Sequence, residues 1–244
     1  MILALLFLLP ACGPGNGPTM LGTETDPAQS GLGFLPKNAE KGRLFTYYQP
    51  RAASAWRNNW TSTFDLTGVS LNDPAAATLI APNYVLMAAH FIRNPHSPIM
   101  FHDKKGNPCE RYVTEVRSLP GYDVAVCKLN LPAPPEIKCY RFANVADASI
   151  GRPVIVTDKD SVLSVHRIDA VSGASIRFSH IPGLNPVYQR NLITGDSGHP
   201  SFIVKSGDLF LIETHTTGGP GAGPFYGDPQ LQAAIRTAMV EMGN

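Results

Sequence analysis

What most limits the fold of this 244-residue chain is the lack of helical periodicity between about residue 41 and residue 226. Short apolar runs stand there instead, each closed by a turn. Residues 78–80 and 84–87 flank Ala81-Pro82-Asn83, and residues 99–101 and 111–116 flank Lys104-Lys105-Gly106-Asn107. Runs rich in β-branched and aromatic residues, bounded by Gly, Pro, Asn and Asp, predict hairpins. Residues 124–129 add an apolar strand, after which Leu131-Pro132-Ala133-Pro134-Pro135 breaks regular structure. The same style resumes in residues 153–156, 170–172, 175–178, 201–204 and 209–212, with Lys205-Ser206-Gly207-Asp208 turning the last pair. Two sets of short strands around a proline-rich connector predict an all-β protein in two parts.

A helix is expected only at the end, over about 228–242. Asp228 suits the N-cap and Pro229 the first helical position. Leu231, Ile235, Ala238, Met239 and Met242 then fall on one face. Lys and Arg (20) nearly balance Asp and Glu (19) and are scattered singly. Such a charge pattern gives no electrostatic reason to expect a nucleic-acid partner.

The first residues read as a targeting segment. Residues 2–9 are an unbroken apolar run of eight, too short to span a bilayer but suited to a signal-peptide core. Leu9-Pro10-Ala11-Cys12 resembles a bacterial lipobox, which implies lipidation of Cys12 and a membrane tether; a simply cleaved signal is the alternative. Residues 1–12 are thus expected to direct export, to the outside or the cell envelope. Residues 13–40, rich in Gly and Pro near their start, are expected to be a flexible tether. Beyond Cys12 remain Cys109, Cys127 and Cys139, an odd number that leaves a free thiol or an intermolecular link. Cys127, inside an apolar run, reads as a small buried hydrophobe. No Cys or His spacing suggests zinc, and no metal or cofactor is expected. His96, His102, His166 and His180 receive no role.

Three local patterns carry the chemistry. Residues 77–90 run through Val85-Leu86-Met87-Ala88-Ala89-His90, residues 122–129 read Tyr122-Asp123-Val124-Ala125-Val126-Cys127-Lys128-Leu129, and residues 194–200 read Thr194-Gly195-Asp196-Ser197-Gly198-His199-Pro200. Together they resemble the histidine, aspartate and serine segments of trypsin/chymotrypsin-like serine proteases. They stand in the order His, Asp, Ser that separates this family from subtilisin-like and α/β-hydrolase arrangements. The resemblance implies two six-stranded antiparallel β-barrels, the first over about 41–135 and the second over about 148–226, with the C-terminal helix closing a domain of 41–244. It implies an endopeptidase acting on protein or peptide substrates. A binding module that has lost turnover, and an exported esterase, are the competing readings.

The resemblance also assigns roles. Ser197 becomes the nucleophile, His90 its base, and Asp123 the group that fixes the imidazole tautomer. Gly195 and Ser197 supply the oxyanion-hole N–H groups. Asn191 falls at the floor of the primary specificity pocket, where a neutral amide disfavours Arg or Lys. Thr214-His215-Thr216-Thr217-Gly218-Gly219 resembles the pocket wall of glutamate- and glutamine-specific relatives. There His215, with a hydroxyl from Thr194 or Thr216, would bind a carboxylate or amide; on the competing reading His215 points away. Four departures stand out. Phe91 and Ile193 occupy positions where the family often has cysteines, and no Ile-Val-Gly-Gly activation sequence follows the tether. Those absences imply a bacterial-type branch without zymogen processing, in which Asp196 must find a partner other than a freed amino terminus or face solvent. The fourth is His199 in place of a glycine, a change that is either tolerated or alters the pocket.

Overall fold

The computed structural model describes residues 31–71 and 75–243. Residues 1–30, with the expected signal, Cys12 and most of the expected tether, lie outside the described residues. Short N-terminal pieces come first: β1 (Gly42–Arg43), then β2 (Phe45–Tyr47) paired antiparallel with β3 (Ala55–Trp56). The first half follows as β4 (Thr78–Ala81), β5 (Tyr84–Met87), β6 (Pro98–His102), β7 (Pro108–Ser118) and β8 (Ala125–Leu129). They form one antiparallel sheet in the order β4-β5-β8-β7-β6.

The second half holds β9 (Arg141–Phe142), β10 (Pro153–Val156), β11 (Val162–Ser172), β12 (Ser175–Ser179), β13 (Pro200–Lys205), β14 (Asp208–Thr214) and β15 (Ala222–Pro224). Its order is β15-β12-β11-β10-β13-β14-β9, with β1 added on β11, and only the β9–β14 pair is parallel. The all-β architecture with a closing helix is therefore as expected, its two main sheets standing beside the small β2–β3 pair. Among the described residues the sheets have five and eight strands, where the resemblance implied six apiece.

Alternation along each strand builds three layers of core, because successive side chains point to opposite faces. Val85 and Met87 face an inner cluster of the first half with Leu79, Ile99, Phe101, Val113 and Cys127. Tyr84 and Leu86, between and beside them, face a seam shared with Ile155, Phe202, Leu211 and Tyr226 of the second half. Val154 and Val156 face the second half's own cluster with Ile168, Ile176, Phe178, Ile203 and Phe225. With both faces of β5 and β10 covered, their near-continuous apolar runs need no polar side.

The C-terminal helix, Pro229–Glu241, begins where expected: the Asp228 carboxylate accepts from the Leu231 N–H at 2.8 Å, a cap worth about 1 kcal/mol. Leu231, Ile235, Ala238 and Met242 bury the apolar face in the seam. Its C-terminal end reaches the first half, where Tyr84 Oη donates to the Met239 carbonyl at 3.2 Å and Lys128 Nζ donates to the Met242 carbonyl.

Two differences from expectation have plain causes. Residues 31–40 are not a free tether. Leu32, Phe34 and Leu35 pack on the seam, and the Phe34 ring lies 5.3 Å from Phe64 and 6.0 Å from Trp60. These three apolar residues supply the buried area that offsets the ordering of this segment. And β11 runs eleven residues where only 170–172 suggested a strand. Ser164 and His166 point inward and are fully covered, so polar residues interrupt an otherwise apolar pattern. Cys109, Cys127 and Cys139 are all free thiols. Cys127 is wholly buried, and burial pushes its thiol up to about 12.

Candidate active site

The antiparallel register of β5 and β8 pairs Met87 with Ala125. Residues just past the end of β5 and just before the start of β8 therefore meet at one edge of the sheet. His90 follows β5 on a single 3-10 turn, Ala89–Phe91, and Asp123 precedes β8. Asp123 Oδ1 accepts from the His90 backbone N–H at 2.8 Å and Oδ2 accepts from His90 Nδ1 at 2.7 Å. A third donor arrives from the second half, Thr216 Oγ1 at 2.7 Å from the same Oδ2. Facing a carboxylate, Nδ1 must carry the proton, which leaves Nε2 of the neutral ring as an acceptor. That nitrogen lies 2.9 Å from Ser197 Oγ. The three residues that the sequence singled out thus form one hydrogen-bonded line across both halves.

Ser197 sits in the loop between the Leu192–Gly219 bridge and β13. Two glycines around it are in left-handed backbone, Gly195 at φ +99° and Gly198 at φ +79°. Gly198 is also a point of close approach between the halves: a Cβ there would lie 2.9 Å from the Ala76 carbonyl oxygen and 3.3 Å from the Ala88 nitrogen. A side chain at 198 would push the serine loop off the segment that leads into His90. Among the described residues, no group accepts from the N–H of Gly195 or of Ser197. Those two donors therefore remain available to an acceptor from outside the chain.

Asp196 resolves the question of its partner. Its side chain is buried, Oδ2 accepting from the Ile193 N–H at 2.7 Å and Oδ1 from the Lys159 N–H at 3.0 Å. Its partners are thus backbone amides. His199, for which tolerance and an altered pocket were both open, does not line the cavity beside Ser197; its side chain is completely buried. The backbone N–H of His215 donates to the His199 carbonyl at 3.0 Å, so this residue joins the two strands behind the serine.

A cavity of about 420 Å³ opens beside Ser197, lined by Leu192, Thr194, Thr216, Thr217 and Gly218 among others. Asn191, placed at its floor by resemblance, is instead exposed and outside the lining. Thr194 stands exposed at the rim, and Thr216 spends its hydroxyl proton on Asp123. His215 does line the cavity, but its ring is only 1% exposed and both nitrogens are engaged. Nδ1 donates to Glu213 Oε2 at 2.9 Å and Nε2 donates to the Thr157 carbonyl at 3.0 Å. With Glu213 ionised, both partners are acceptors and favour the protonated ring. Burial opposes that charge, but Glu213 overrides it and lifts the pKa above the ordinary histidine value. The expected use of His215 to grip a substrate carboxylate is therefore not what the geometry provides.

Glu213 was not singled out in the sequence. Its signal is the spacing to His215 on one strand, since residues two apart share a face. The partners of Asp196 left no such signal, because a backbone amide looks the same at every position.

No protein-family model and no curated protein matches the chain. Solved structures do. Kallikrein-related peptidase 10 superposes with a TM-score of 0.51 at 17% identity, covering 68% of this chain and 88% of that one. Neuropsin, described as a serine protease expressed in the limbic system of mouse brain, gives a TM-score of 0.52 at 16% identity over the same shares. At such identities the likeness is one of architecture, and the architecture is the chymotrypsin-like fold.

Proposed function

We propose that this chain is a serine endopeptidase of the non-zymogen kind, hydrolysing peptide bonds through an acyl-enzyme on Ser197. The reading rests on one observation above all, the line from Ser197 Oγ through His90 to Asp123 at 2.9 and 2.7 Å, beside an open cavity. Ser197 Oγ attacks the scissile carbonyl carbon as its proton passes to His90 Nε2. The carbonyl oxygen becomes an anion and accepts from the N–H groups of Gly195 and Ser197. Collapse of this intermediate breaks the C–N bond, and the leaving amine takes the proton from His90. Water then enters and bonds the acyl carbon as one of its protons passes to the same nitrogen; the second intermediate collapses by breaking the C–Oγ bond, Ser197 Oγ takes the proton back from His90, and the acid leaves. Asp123, held by three donors, keeps Nδ1 protonated and stabilises the imidazolium formed in each half-reaction.

The cavity favours a neutral substrate side chain. Asp196 gives its carboxylate to two amides and Glu213 gives its own to His215, so neither is available to pair with a cation. The engaged ring of His215 gives no donor to an anion. The test is a peptide library digested by the parent and by Ser197→Ala, with fluorophosphonate labelling alongside. The parent should be labelled at Ser197 and cut after uncharged residues. Ser197→Ala should lose the label and about 10⁶ in kcat. Undiminished cleavage by that variant would refute the reading.

A further inference from the structure

We propose that Asp158 and Arg190 are a positioning pair that holds the serine loop, residues 193–197, in its reactive shape. The proposal rests on the protease reading above. Asp196 can anchor the loop only while the Lys159 N–H stays in place, and Lys159 lies on the turn between β10 and β11. That turn is shaped by its own aspartate. Asp158 Oδ1 accepts from the N–H groups of Asp160 at 2.9 Å and Val162 at 3.0 Å. Ser161 on the same turn is left-handed at φ +55°, a conformation a non-glycine residue keeps only under constraint. The other oxygen of Asp158 accepts from the Arg190 guanidinium at 2.8 Å, and Asp160 takes the same nitrogen at 3.0 Å.

These contacts close a ring. It runs from Arg190 to the turn, from the Lys159 N–H to Asp196, from Asp196 to the Ile193 N–H, and back along the chain to Arg190. Both ends of the segment that lines the cavity are therefore tied to one turn. Burial makes the tie sensitive. Asp158 is 1% exposed, and its pKa is pushed up to about 6 by burial first, with Asp196 and Asp160 adding to it and Arg190 offsetting part. A carboxylate so placed, robbed of its guanidinium, cannot stay both charged and buried. The turn must then shift or take up a proton, and the Lys159 N–H moves with it.

The test measures fluorophosphonate reaction with Ser197, kcat and KM for a peptide, and the unfolding midpoint, in the parent, Arg190→Ala and Asp158→Asn. The asparagine keeps the oxygen that shapes the turn while removing the charge. Both variants should react roughly tenfold to a hundredfold more slowly, somewhat less than the loss of one oxyanion donor causes. The loss should fall on kcat with KM nearly unchanged, and millimolar guanidinium should restore most of it in Arg190→Ala. Variants that react at the parent rate, or that raise KM alone, overturn the pair's role, as does a folded Arg190→Ala that guanidinium cannot rescue. If Arg190→Ala does not fold, Asp158→Asn decides by the same rates. An unlabelled parent removes the protease reading and this proposal with it; a labelled parent with unaffected variants removes this proposal alone.

Discussion

His90 and His215 each set an imidazole against a carboxylate, at 2.7 and 2.9 Å, yet they are opposites. The second nitrogen of His90 faces a hydroxyl, which can give a proton as well as take one, and its side chain is 44% exposed. The second nitrogen of His215 faces a carbonyl oxygen, which can only accept, and its side chain is 1% exposed. One ring has a partner with which it can exchange a proton, and the other is held towards the charged form by Glu213. The pairing of histidine with acid does not make a base; the partner on the far side of the ring decides.

That comparison can be broken in order of size. Asp123→Asn should cost about 10⁴ in kcat, because an amide can offer N–H to Nδ1 and favour the wrong tautomer. Kinetics at saturating peptide check it, and a loss under tenfold would mean that Asp123 does not set the tautomer. Glu213→Gln attacks the second ring. It leaves His215 buried without its counter-charge and should lower stability by about 3 kcal/mol, while kcat per folded molecule changes little. Urea unfolding with active-site titration separates the two effects, and an unchanged midpoint would show that the pair is not ionic.

The smallest effect is a slope. Burial, reinforced by His180 and His215, lowers His166 to about 4, so on acidification the unfolded chain takes that proton first. Its contribution to stability therefore grows as pH rises from about 4 to 6.5. Asp158 runs the other way. With a folded pKa near 6 against 3.8, it keeps a proton that the unfolded chain has lost, and its contribution declines across that window. His215, raised, adds stability that is complete below 6.5 and disappears only as pH climbs through its folded value. In Asp158→Asn the declining part is gone, so the unfolding midpoint should rise more steeply from pH 4 to 6 than in the parent. Parallel curves would show that Asp158 titrates as an ordinary carboxyl.

The line of Ser197, His90 and Asp123 was legible in sequence because each residue sits in a local string whose neighbours have their own duties. Gly198 must lack a side chain, because a Cβ there would press on the backbone of Ala76 and Ala88. The C-terminal helix was legible for a similar reason, since cap and apolar face are written within a few residues. What stayed hidden was whatever depends on a distant backbone or on a buried polar group. Lys159 holds Asp196 through an amide, not a side chain, and inward-facing Ser164 and His166 disguised most of β11. The pocket assignments of Asn191 and His215 were borrowed from relatives, and a neighbour two residues away, Glu213, redirects the histidine.

The clasp at the C-terminus bears on how the molecule is made. Tyr84 and Lys128 hold carbonyls at 239 and 242, which are synthesised 155 and 114 residues after them. The sheet that carries His90 and Asp123 can form from its own strands, but Leu86 and Val126 on its outer face have no complete cover until the final helix arrives. During synthesis that face waits, exposed, for nearly the whole second half to emerge. A nascent chain halted before residue 229 would hold all three residues of the hydrogen-bonded line and still lack the piece that seals the two halves together.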